Sequence, residues 1–291
     1  MTRHHTKGRP RTRLRVVTLI VLAVFLMAAS ASFAAPPPVG LGTAGNFAVL
    51  AGETITNTGP TTITGDVGLH PGSSTTGFAS VTLVPPSATH IADAVALNAK
   101  NDLITAYNTA AGSLPVTIVA TELGGQTLPA GVYASDSGTF GITGTLTLDA
   151  QDDPLAVFIF QMESTLITAT SSVVRIINAG QACNVFWQVG SSATIAPSTT
   201  FVGNIMALTS IALQTGATIQ GRALARNGEV TMDTNTITRA TCLPVGPVPT
   251  GGGSTGGVED LGLLMVGGAL LVGAVGVLGL RRRVERKGAS S

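Results

Sequence analysis

The chain has 291 residues, a formal net charge of +1, a mean hydropathy of +0.43, 11% charged residues and 36 glycines. Such a length supports one large domain or two ordinary ones with a full core. Low charge with positive hydropathy excludes a disordered chain, and two cysteines exclude a disulfide-dense scaffold or a cysteine-rich zinc module.

Residues 1–15 carry six basic side chains and no acid, 16–29 form a mostly apolar run, and small residues lead into Pro36-Pro37-Pro38. That order predicts a secretory signal peptide over 1–35, cleaved between Ala31 and Ala35. The alternative, an N-terminal anchor, needs a run of about 20 residues. The exported domain is then 36–243. Within it, 87–111 is rich in alanine and leucine, with Ile91, Val95, Leu103, Ala106 and Ala110 at helical spacings. The pattern predicts a helix capped by Ser87 or Thr89 and stopped by Gly112, with its apolar stripe along one side of the fold.

The rest of the domain repeats. TTFVGNIMA (199–207), ATIQGRALA (217–225) and NTITRAT (235–241) align at a spacing of 18, so that Thr200, Thr218 and Thr236 coincide, as do Phe201, Ile219 and Ile237. TTITGDVG (61–68) fits the same template, and TATSSVV (168–174) fits loosely, with Ser172 on the threonine position. Short β-branched runs lie between these copies. A fixed period holding about three short strands predicts a β-solenoid, whose coils bury an inward apolar row only by stacking. Short regular strands leave a jelly roll or sandwich as the alternative. Cys183 and Cys242 lie 59 residues apart, and in an exported chain they are expected to form a disulfide that pins the last coil to an earlier one.

Residues 244–260 are rich in Pro, Gly and Ser and read as a flexible linker. The 20 uncharged residues 261–280 have the length of one membrane span, and the basic tail 281–291 belongs on the cytoplasmic side. A buried core helix is the alternative for 261–280. No LPxTG wall-sorting motif is present.

With the ends set aside, 41–243 holds five basic and twelve acidic residues, a net −7. The domain has no basic stripe for phosphates, so nucleic acid is not an expected partner. Its two histidines, His70 and His90, stand alone, and no HExxH, GxSxG or phosphate loop occurs, so neither catalytic residue, metal site nor cofactor is expected. Asp152-Asp153-Pro154 reads as a loop tip. Arg222, Arg226, Glu229 and Asp233 read as a solvated coil edge. A carbohydrate-active enzyme would need clustered carboxylates in a cleft.

Threonine is the unusual feature, with 34 between Thr43 and Thr241. Each repeat places Thr, Ser or Gly two residues apart before the core aliphatic: Thr170/Ser172, Ser198/Thr200, Gly216/Thr218 and Thr234/Thr236, with Thr62 upstream. Alternate residues of a strand share a face, so stacking predicts an outward ladder at about 4.7–4.9 Å. Threonine also simply suits exposed strands. A flat, uncharged hydroxyl-and-methyl surface suits ordered water better than a sugar or a protein pocket.

From LGTAGNFAVLAGETITNTG through LGGQTLPAGVYASDS, ACNVFWQVGSSATI and FVGNIMALTSIALQTGATIQGRALARNGEVTMDTNTIT, the chain resembles the DUF3494 ice-binding-like family over about 41–242. The resemblance implies a mainly β, discontinuous, triangular, right-handed β-solenoid with one long helix alongside and a small cap, which would be 70–86. It also implies ice binding through a flat face carrying T-A/G-x-T/N. Thr215-Gly216-Ala217-Thr218 fits that motif, whereas Pro197-Ser198-Thr199-Thr200 and Asp233-Thr234-Asn235-Thr236 lose its first threonine. The expectation is a monomeric, non-enzymatic domain whose partner is the ice crystal surface, held to a membrane by its C-terminal helix, or secreted if that segment is processed. A structural or adhesive surface solenoid without ice affinity is the alternative.

Overall fold

The computed structural model describes residues 36–244. The predicted signal peptide, the linker beyond Pro244, the predicted membrane span and the basic tail lie outside the described residues. Among the described residues, no helix is long and apolar enough to cross a membrane.

The period of 18 is the coil repeat. Strand Thr200–Ala207 pairs in parallel with Thr218–Ala225 through eight consecutive partners, from Thr200↔Thr218 to Ala207↔Ala225. Each coil holds three straight runs, such as 200–202, 204–207 and Ile211–Leu213. The first corner is glycine at positive φ: Gly203 at 116° and, in the upstream copy, Gly65 at 124°. A side chain at Gly203 would strike Trp187, its Cβ falling 2.7 Å from the indole nitrogen. All strand pairs are parallel, in one 15-stranded and one 7-stranded sheet. The predicted apolar row is the core: Phe201, Ile219, Ile237 and Ile63 follow one another across the coils, all buried. Inside, Tyr133, Phe160, Trp187 and Phe201 form a continuous aromatic stack, with Phe160 and Trp187 parallel at 4.0 Å.

The stacking order departs from the chain order. Phe47–Ala51 lies between Thr218–Ala225 and Asp66–Leu69, so the N-terminal coils sit on the last C-terminal one. The chain reaches the other end through one α-helix, α1 (Ala94–Ala111). Eighteen residues span about 27 Å, or between five and six strand spacings. Its buried face, Ala96, Ala99, Leu103, Ala106, Tyr107 and Ala110, packs on an outward row that includes Leu50, Ile159, Phe186, Met206 and Leu224. The helix starts later than the sequence pattern predicts. Asp93 is its N-cap, accepting from the Ala96 amide at 2.8 Å. Residues 89–91 instead form a strand, because the open edge of Asp66–Leu69 offers them a parallel ladder. Ser87 accepts from the Gly65 amide, and Val95 is exposed. Residues 70–86 form a terminal coil rather than a separate cap, with Ser74–Thr76 and Val81–Leu83 adding to both sheets.

The expected solvated edge at Arg222 and Arg226 is also corrected: Arg222 is buried and Arg226 is half-buried, with its guanidinium over the Tyr107 ring at 4.7 Å. Both residues lie on the side that α1 covers. Beside them, buried Lys100 of α1 donates to the carbonyls of Ala225, at 2.6 Å, and Arg226. Burial, then the neighbouring Arg226 charge, lowers the Lys100 pKa to about 7. The folded state therefore disfavours the ammonium form relative to the unfolded chain, whose lysine keeps its ordinary value. Between about pH 7 and the unfolded value near 10.5 the unfolded chain binds more protons, so this group makes stability rise with pH. The midpoint of thermal unfolding should climb more from pH 7 to pH 10 in the wild type than in Lys100→Met. Parallel pH profiles would remove Lys100 from this role.

Cys183, in the turn entering Val185–Val189, and Cys242, after the last strand, form the expected disulfide, with Cα atoms 5.4 Å apart. Closing a 59-residue separation restricts the unfolded chain, and its loss is expected to cost up to about 4 kcal/mol. Urea unfolding of Cys183→Ser/Cys242→Ser should show a lower midpoint and a somewhat steeper slope, because the unlinked unfolded chain is less compact, and an unchanged midpoint would contradict this.

Candidate functional site

Five threonines form one outward row across neighbouring strands: Thr82, Thr62, Thr236, Thr218 and Thr200 are successive register partners. The row faces outward because the next residue along each of the last four strands, from Ile63 to Phe201, is buried. Thr62, Thr82, Thr200 and Thr236 are exposed, and Thr218 is half-buried. With strands about 4.8 Å apart, hydroxyls and methyls repeat at that interval. Two residues along each strand a second row carries Thr64, Thr238, Gln220 and Val202.

The other member of each predicted pair is not in the strand. Ser198, Gly216 and Thr234 occupy left-handed corners at φ 57°, 73° and 54°. Their amides donate to carbonyls of the adjacent coil, Thr215, Asp233 and Thr58 respectively. The loose copy is corrected by one residue. Val173, not Ser172, pairs with Thr200, so Ser172 faces inward, fully buried, and donates to the Ile142 carbonyl at 2.7 Å. A one-residue slip reverses a strand's faces. Thr170 is exposed, in the turn before that strand.

Thr215 and Thr218 stand at the two ends of a corner between the sheets. The Thr215 hydroxyl donates to the Asp233 carboxylate, and Asp233 is the register partner of Thr58. A carboxylate thus stands where the motif's first threonine is missing. Buried Asn235 braces this corner, donating to the carbonyls of Gln214 and Ala217 and accepting from the Asp233 amide. A buried hydroxyl pair, Thr168 and Thr199, braces the preceding coil at 3.1 Å. Satisfied internal polar groups hold the surface threonines on a rigid base.

Sequence reasoning missed a second surface. On the seven-stranded sheet, Ile167, Thr194, Ala212, Thr231, Thr56 and Thr76 form another outward row. Its signal was a lone small residue between two buried aliphatics in strands as short as three residues. Beside it lies Glu229, whose carboxylate accepts from Thr54 at 3.3 Å.

Among the described residues, no group of three or more His, Cys, Asp or Glu is arranged to hold a metal. His90 pairs with Asp93 at 2.9 Å beside the helix start, and both cysteines are in the disulfide.

The sequence pattern of the family described as Ice-binding-like matches residues 49–238. An ice-binding protein of Nostoc sp. (strain HG1) is 51% identical over 206 residues, covering 69% of this chain and 74% of its own length. The crystal structure of an ice binding protein from an Antarctic biological consortium superposes with a TM-score of 0.69 at 45% identity, covering 71% of this chain and 93% of that one. The ice-binding protein of the Antarctic ascomycete Antarctomyces psychrotrophicus gives a TM-score of 0.66 at 38% identity, over 70% of this chain and 99% of that one.

Proposed function

Because the chain belongs to the Ice-binding-like family, we propose that it adsorbs to ice through the threonine ladder Thr62, Thr236, Thr218 and Thr200, with the Thr215-Gly216-Ala217 corner at its edge. The observation carrying this reading is the unbroken register of that row. Regularly spaced methyls order the water over them, while hydroxyls at about 4.8 Å intervals hydrogen-bond it into a lattice. That layer merges with the growing crystal. Ice between adsorbed molecules must then bulge outward, and the curvature suppresses growth and recrystallisation. The family is non-enzymatic.

In this reading the domain is exported by residues 1–35 and held at the outer face of a membrane by 261–280, which turns adsorption into adhesion to ice. Ser198, Gly216 and Thr234 shape the corner beside the ladder, and Ser172, being buried, takes no part. A second reading puts the contact on the seven-stranded sheet, supported by the in-register row of Thr194, Thr231, Thr56 and Thr76. The remaining alternative is a structural or adhesive solenoid without ice affinity. The test is recrystallisation inhibition by the fragment 36–243, which holds every described strand and the disulfide. Activity supports adsorption, and a fragment that folds but leaves crystal coarsening unchanged leaves only the structural role.

A further inference from the structure

A second chemistry sits where the two ends of the domain meet. The Gly45 carbonyl accepts from Arg222 Nε at 3.2 Å, from Arg222 Nη2 at 2.7 Å and from Arg239 Nη1 at 3.4 Å. Two guanidiniums therefore crowd one carbonyl oxygen. Arg222 is 5% exposed, and its only other partner is the Asn204 side-chain oxygen at 2.6 Å. Among the described residues the sole ion pair within 4.0 Å is His90–Asp93, so neither arginine has a carboxylate at that range. Asp66, which lines a separate hollow with Arg239, accepts from the Ala88 amide, and the Asp102 carboxylate, which stands against Gly42, accepts from the Thr43 amide and hydroxyl. Both arginines line a cavity of about 330 Å³, walled by Val39, Phe186 and the disulfide, with no acidic residue in its lining. Burial, and then the charge of Arg239, lowers the Arg222 pKa to about 10. A buried cation beside a like charge is costly unless an anion compensates it. A guanidinium has five N–H donors, and Arg222 spends only three of them on the protein.

We propose that this cavity binds an oxyanion, a phosphate- or carboxylate-type group held between Arg222 and Arg239. The planar forks suit two-oxygen recognition. The anion is a free ion taken from solution, and it ties residues 38–45 to 239–242 beside the disulfide.

The test is thermal unfolding of the full chain, solubilised in neutral detergent and titrated with inorganic phosphate, with chloride at matched ionic strength as control. The expected result is a saturable rise in midpoint with phosphate alone, lost in Arg239→Gln and reduced in Arg239→Lys, which keeps the charge but not the fork. The ³¹P line of phosphate should broaden with the wild type and not with Arg239→Gln. A rise that chloride reproduces, or that survives in Arg239→Gln, overturns the proposal.

Discussion

Thr218→Tyr is expected to reduce recrystallisation inhibition by at least about tenfold, the equivalent of about 1.4 kcal/mol of adsorption energy per molecule, while leaving the fold intact. Thr218 stands in the middle of the ladder, between Thr200 and Thr236. A tyrosine there lifts the water layer off both neighbours, which lie about 4.8 Å away on either side. Its ring points to solvent, so the buried row through Ile219 is untouched. Thr231→Tyr, on the seven-stranded sheet, places the same bulk on the adjacent surface and should leave most activity. The opposite pattern would move the contact to the second sheet, and equal activity in both variants would remove both rows from ice binding. Ice-grain growth in frozen sucrose, measured over a concentration series, separates these outcomes.

Trp187→Ala should be the most damaging single change to the fold, costing about 5 kcal/mol. Truncating a buried tryptophan costs about 3–5 kcal/mol, and here a carbonyl also loses its partner. Trp187 is fully buried, stacked on Phe160 at 4.0 Å and tilted against Phe201 at 5.1 Å, and its indole N–H donates to the Val202 carbonyl at 3.0 Å. These contacts join three successive coils. A solenoid is stabilised by its neighbour interfaces, so a cavity at one interface weakens the stack on both sides. For a domain of this size the midpoint should fall by about 10–20 °C. Calorimetry checks it, and a fall of only about 2 °C would mean that the stack collapses around the cavity.

The repeat was legible because a coil repeats a burial pattern. Inward Phe201, Ile219 and Ile237 recur every 18 residues with their threonines, and the register follows from that alone. The copy at 168–174 misled because both Ser172 and Val173 suit either face, so hydropathy could not set its phase. The corners at Ser198 and Thr234 were hidden because only Gly216 in that column advertises a positive φ. The helix start was obscured by Ser87 and Thr89, good caps by type, which the open edge of Asp66–Leu69 recruits instead. Arg222 and Arg226 read as a solvated edge. What covers them is distant in sequence: Arg222 donates to the Gly45 carbonyl, 177 positions away, and Arg226 lies over Tyr107 of α1. The row on the seven-stranded sheet stayed invisible because one threonine in a three-residue strand carries no periodicity.

The most direct measurement of the central claim is partition into a growing crystal. A fluorescently labelled fragment 36–243, mixed with an unrelated labelled protein of similar size, is exposed to a single ice crystal grown slowly from dilute solution. Adsorption through the threonine ladder predicts that the fragment enters the ice on defined planes, that the control stays in the liquid, and that Thr218→Tyr behaves like the control. Exclusion of the folded fragment from ice to the same extent as the control would contradict the account.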